Sequence, residues 1–115
     1  MKIEIFNDVT YCIGKNAQEN WDLLDELKKE NENYVWFHLN SFPSCYVIMK
    51  CPLEEINESN QKTLHLVHGA ELCKENSKYR IYTNLKIVYT TLKNLTKTEI
   101  VGEVMISGKR NLITI

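Results

Sequence analysis

Apolar and polar positions alternate from Met1 to Phe6, Asn7-Asp8 supplies a turn, and Val9–Ile13 is β-branched and aromatic. That pattern predicts a β-hairpin. Gly14-Lys15-Asn16 breaks the strand, and Asn16 is by type and position a helix N-cap. Across Ala17–Glu30, Trp21, Leu24 and Leu27 recur three residues apart beside Leu23, with acids near the start and Lys28-Lys29 in the last turn. An amphipathic helix whose charges suit its dipole follows. Tyr34–Leu39 and Tyr46–Lys50 are β-prone runs separated by a turn-rich connector that contains Pro43. Trp36 or Phe37 is expected inside a central strand.

Glu54–Asn76 reads as mostly helical after a few loop residues, with Leu64, Val67, Ala70 and Cys73 on its apolar stripe. Tyr79–Thr91 reads as extended, Leu92–Ile100 as a polar loop, and Val101–Ser107 with Asn111–Ile115 as a closing hairpin around Gly108-Lys109. Because hairpins dominate this order, the expected fold is α+β: a largely antiparallel β-sheet with two helices packed on one face, in a single compact domain. The length of 115 residues suits one domain. No apolar run is long enough to span a membrane, and Glu4 and Asp8 interrupt any signal-peptide core, so a cytoplasmic protein is expected. Cys12, Cys45, Cys51 and Cys73 form no Cys-x-x-Cys pair and are expected to be free thiols filling the core.

Charge adds an asymmetry to this outline. Residues 1–60 carry five Lys against eleven Asp and Glu, whereas residues 61–115 carry nine Lys and Arg against four Glu. A basic second half is what phosphate binding would use, although an acidic solvated helix would leave the same imbalance. Within it, Lys93-Asn94-Leu95-Thr96-Lys97-Thr98 offers two point charges and three hydrogen-bonding side chains that suit phosphate and sugar oxygens. A plain solvated loop has the same composition. Lys15 precedes a helix N-terminus, where backbone N–H groups favour anions.

Tyr34, Trp36 and His38 share one face of their strand, a row that either stacks on bases or packs beneath a helix. His65 and His68 lie three apart on a helix with Cys73 beyond, but no fourth ligand is identifiable, so no metal is expected. Cys45 with His38 is a conceivable nucleophile and base without an orienting group or oxyanion hole, and no phosphate-binding glycine loop is present. Neither an enzyme nor a cofactor is expected.

Several stretches, in order, resemble the NFACT-R family, the RNA-binding module of the NFACT proteins of ribosome-associated quality control. They are Gly14-Lys15-Asn16-Ala17-x-x-Asn20, Val35-Trp36-Phe37-His38, Pro43-Ser44-Cys45-Tyr46-Val47 and Ala70-x-Leu72-x-Lys74-x-Asn76-Ser77. Val88-Tyr89-Thr90-x-x-Lys93-Asn94-Leu95-x-Lys97, followed by Val101-Gly102-x-Val104, is most like the short eukaryotic members, which add a coiled coil not expected here. The likeness covers roughly Tyr11 to Val104. Three positions depart from the family pattern: Tyr34 stands for its Asp, Pro43 for its Gly and Tyr46 for its His. The resemblance implies a module that binds RNA or DNA backbone, with Lys15, His38, Lys74, Lys93, Asn94 and Lys97 as the expected contacts. The competing expectation is a protein-interaction module docking on a ribosomal or membrane-associated assembly, with ribosome-associated proteins as partners.

Overall fold

Asn7 and Asp8 both take positive φ, 45° and 64°, the backbone of a two-residue hairpin turn that suits Asn and Asp. The turn joins β1 (Lys2–Phe6) to β2 (Val9–Ile13) antiparallel. Asn16 then caps α1 (Ala17–Glu30), its Oδ1 accepting the Glu19 N–H at 2.9 Å. The chain continues through β3 (Val35–Leu39), β4 (Val47–Met49), a short 3₁₀ turn and α2 (Ser59–Glu75). It ends with β5 (Lys86–Thr91), a 3₁₀ turn at Leu92–Asn94, β6 (Leu95–Lys97), β7 (Val104–Ile106) and β8 (Asn111–Thr114). This computed structural model describes all of residues 1–115. No helix in it is long and apolar enough to cross a membrane.

Six strands form one antiparallel sheet in the order β1-β2-β4-β3-β5-β8, and β6 and β7 form a separate ribbon. The fold is therefore α+β with a largely antiparallel sheet. The expected central strand is β3, where Trp36 is 2% and Phe37 0% exposed. A radius of gyration of 12.9 Å matches one compact unit of this length, about 13 Å.

The two helices lie on opposite faces of the sheet, not on one. Phe37, Val35, Ile13 and Val47 pack with Ala70, Leu72 and Cys73 of α2. Trp36, Ile48, Cys12 and Val88 pack with Leu23, Leu24 and Leu27 of α1. The physical reason is that β2, β3 and β4 have almost no polar positions. A one-sided antiparallel sheet would alternate, whereas an unbroken apolar run must be covered on both sides.

Further expectations change. The extended run begins only at Lys86, and residues 79–84 before it are turns and bends. The buried side of α2 is His65, Gly69, Ala70, Leu72 and Cys73, while Leu64 is 46% exposed. The helix is turned that way because His65 meets Tyr11, whose hydroxyl lies 2.6 Å from His65 Nδ1, and because Gly69 admits Phe37. The closing hairpin does not form either. Leu95 is buried against α1, and β7 returns to pair Ile106 with it. β8 instead joins the main sheet, setting Ile113 opposite Ile87. The four cysteines are free.

A methyl group at Gly69 would fall 2.4 Å from Phe37 Cζ. Gly69→Ala is expected to lower the unfolding free energy by about 1–3 kcal/mol through overpacking, outweighing the roughly 1 kcal/mol that alanine adds in helix propensity. Urea denaturation measures the sign. Burial holds the pKa of both His38 and His65 below the usual 6.5, with His68 adding to the effect at His65. Below that pH the unfolded chain takes up protons that the folded chain refuses, so stability is complete above it and falls as acid is added. The urea midpoint should therefore drop between about pH 7 and pH 5. The depressed carboxylates, Glu19 and Glu30, act only at lower pH.

Candidate nucleic-acid interface

At the end of the sheet where β2 and β3 stop and β4 begins lies an open cleft of about 1260 Å³. Its walls are the first turn of α1, residues 40–45 and residues 100–106. Local sequence fixes the first wall. A Cβ at Gly14 would sit 2.0 Å from Asn20 Oδ1, so only glycine lets the buried Asn20 fold under the strand end. That oxygen accepts the Tyr46 N–H at 3.1 Å, and Gly14 N–H donates to Tyr46 O at 3.0 Å. The start of α1 is thereby tied to the start of β4.

Tyr46 also holds the opposite wall. Its buried hydroxyl donates to Gly102 O at 2.6 Å, and burial pushes its pKa well up. Gly102 adopts φ 89° and lies so close to Ala17 that a Cβ would approach the Ala17 Cβ to 2.8 Å. Trp21 Nε1–H donates to Glu103 O at 3.2 Å, a second tie between α1 and this loop. On the remaining side Ser44 Oγ accepts the Leu39 N–H at 3.1 Å.

The floor is aromatic. His38 stacks on Trp36 with centroids 5.3 Å apart and planes 7° from parallel, and Tyr46 presents an edge to both. Trp36 is packed beneath α1, as one of the two readings of its strand required. Its Nε1–H is buried without an acceptor, a cost of about 1–3 kcal/mol. His38 is half-buried, and its Nδ1 is 2.7 Å from Leu39 O. Burial lowers its pKa, and the hydrogen bond to Leu39 only partly opposes this, so the ring is neutral at pH 7. Tyr34 lies on the same face, donating to Glu30 Oε1 at 2.8 Å. Burial, then that bond, pushes its pKa up to about 12.

Lys2, Lys15 and Arg110 line the cleft against one carboxylate, that of Glu103. Of the six contacts expected from sequence, the cleft contains Lys15 and His38. Lys93 and Asn94 lie beyond the other end of α1, where Lys93 N–H donates to Glu32 O at 2.9 Å. Asn94 Nδ2 donates to Thr90 Oγ1 at 2.8 Å and its carbonyl accepts the Ser107 N–H, which pins the ribbon to the sheet. Lys97 sits against the middle of α1, 2.7 Å from Asp25 Oδ2 and 5.0 Å from the centre of the Trp21 ring. Lys74 belongs to the α2 side, its Nζ 3.3 Å from Ile115 O in a shallow depression with Glu71, Glu75 and Arg80. The six residues thus do not form one cluster. Lys2, Tyr46 and Arg110 carry no local signal, because one lies in an alternating strand, one in a β-prone run and one beside a turn.

His65 and His68 pack as rings around Phe6 and Tyr11, with Phe6 and His68 stacked at 4.2 Å. Cys73 is elsewhere, 3.7 Å from Ser44 Oγ. The Cys45 thiol accepts a hydrogen bond from the Cys73 thiol, which lowers its pKa, and it packs on the α2 side, whereas the His38 ring stacks on Trp36 on the α1 side.

Comparison with known proteins agrees with this architecture. The C-terminal part of the fibronectin/fibrinogen-binding protein of Streptococcus suis superposes with a TM-score of 0.79 over 98% of this chain, at 21% identity, which shows a shared fold. Coiled-coil domain-containing protein 25 of Danio rerio is 32% identical over 90 residues, 77% of this chain. The chain spans less than half of either relative, 42% of the zebrafish protein and 43% of the streptococcal one. The model of the NFACT protein RNA-binding domain matches residues 4–113, nearly the whole length, and the chain accordingly belongs to that family.

Proposed function

We propose that this domain binds single-stranded RNA by its phosphate backbone, with the cleft as the centre of the site. The observation that carries the reading is the cleft's lining: three cations against a single carboxylate, above the stacked rings of His38 and Trp36. Lys15 and Arg110 are exposed and supply point charges to phosphates. His38, neutral at pH 7, offers a ring edge and a stacking surface rather than a charge. Family membership supports RNA over other anions.

Lys97 and Lys93 lie along α1, a helix of 14 residues or about 21 Å that itself carries five acids and two lysines, and they add cations outside the cleft. Their contribution is secondary, since Lys97 must first give up Asp25. Asn94 acts by holding the ribbon in place. Lys74 stands on the other side of the sheet. The family's association with ribosome-associated quality control points to transfer RNA or ribosomal RNA as the species to test first. Exposed Phe42, Ile100, Val101 and Met105 on the cleft rim favour a second reading, docking on a protein partner.

Salt dependence separates the two. Filter binding of single-stranded RNA, transfer RNA and duplex DNA over a salt series should give a steep log–log slope, near 0.7 per phosphate contact for a single strand. Lys15→Glu/Arg110→Glu should flatten it by roughly 1.4 and remove most affinity, at a stability cost under about 0.5 kcal/mol per exposed site. Lys93→Glu/Lys97→Glu should weaken binding less. Binding that is indifferent to salt and to both pairs of substitutions would leave the protein-docking reading.

A further inference from the structure

β1 is an edge strand, bonded to β2 on one side and to nothing on the other. The turn at Asn7-Asp8 closes with Phe6 opposite Val9, so Phe6 and Val9 exchange backbone hydrogen bonds. Bonding alternates along a strand, so Glu4 and Lys2 also direct their backbone groups toward β2. Ile3 and Ile5 therefore aim their N–H and C=O groups outward, at the free edge. Their side chains lie on the α1 face of the sheet, opposite Cys12 and Thr10, but beyond the reach of the helix. Met1, Ile3 and Ile5 are 52%, 57% and 72% exposed.

An unprotected edge of this kind is usually blunted by charge, because a strand that docks there must sit beside an unpaired Lys or Glu. Lys2 and Glu4 supply such charges. One strand satisfies both of them, namely a second copy of β1. An antiparallel pairing with its two-fold axis at Ile3 sets Ile3 against Ile3, Met1 against Ile5 and Lys2 against Glu4 of the other copy, twice. In that register Ile3 forms the closely hydrogen-bonded pair that its outward groups require. Lys2 and Glu4 then fall at the non-hydrogen-bonded position, where cross-strand side chains approach most closely. The neighbouring registers fail. An axis at Glu4 opposes two carboxylates, and an axis at Ile5 sets Glu4 against Phe6 and runs each strand into the other's turn.

We propose that the β1 edge is a homodimer interface, with two copies joined antiparallel about Ile3 so that their six-stranded sheets become continuous. Glu4 makes no ion pair within the domain, and Lys2 donates only to Asn76 Oδ1 at 2.8 Å, so both are available to a second copy. The dimer draws Lys2 away from the cleft and leaves Lys15 and Arg110 as its cations, and the interface is tested without RNA.

Analytical ultracentrifugation of the untagged chain over a concentration series should show a monomer–dimer equilibrium. Glu4→Lys and Lys2→Glu should each be monomeric at concentrations where the wild type is dimeric, and Ile3→Lys likewise. Circular dichroism and melting temperature establish that these variants keep their fold. The charge swap Lys2→Glu/Glu4→Lys should dimerise again. Mixing the two single variants should yield a heterodimer, because one then carries only acids and the other only bases along the edge. A wild type that stays monomeric throughout overturns the proposal. So does a dimer that none of the three single substitutions weakens, or a pair of single variants that fails to associate on mixing.

Discussion

Trp36 and Phe37 leave one strand in opposite directions and both end in a dry interior, so a helix has to lie on each side of β3. The same holds for Cys12 and Ile13 in β2 and for Val47 and Ile48 in β4, which flank one another in the sheet. Three adjacent strands without a polar face cannot be stable with one side in water, since each large apolar side chain left exposed forgoes about 1.5–3 kcal/mol. The three-layer arrangement follows from that constraint. So does the separation of polar groups to the sheet's end and edges, where the cleft and the free strand are found.

The cleft exists because backbone and small residues meet where two layers join. Asn20 is buried in the first turns of α1, yet its side chain bonds the backbone of β4, and Gly14 makes room for it. Tyr46 carries the connection onward to Gly102. A set of residues that looks in sequence like binding chemistry is thus in large part the frame of the site. The charges on that frame come from two regions of the chain, Lys2 and Lys15 from the first hairpin and its exit and Arg110 from the segment before β8. Two family departures are likewise absorbed structurally: Tyr46 bonds the far wall, and Tyr34 bonds Glu30.

Local chemistry made the first half of the chain legible. The hairpin, the Asn16 cap, α1 and the central strand stand where turn residues, capping residues and apolar period set them. The last third was less legible, because β6, β7 and β8 are three or four residues long and their pairing is decided by partners far away in sequence. Val104–Ile106 and Asn111–Thr114 read as a hairpin by their spacing, but each finds a better partner, in Leu95–Lys97 and in β5.

The amino-acid sequence by itself determined the fold class, the order of the main elements, the family and two of the residues that line the cleft, Lys15 and His38. These follow from interactions within a turn or two, or from motifs whose residues stay close along the chain. Only the tertiary structure decided which face each helix covers, that Lys74 and Lys93 lie away from the cleft, and that Arg110 joins Lys2 and Lys15 there. Distance along the chain carries no information about distance across a sheet. A lysine's reach is set by the layer that it stands on, and that layer is fixed only when both faces of β3 have been buried.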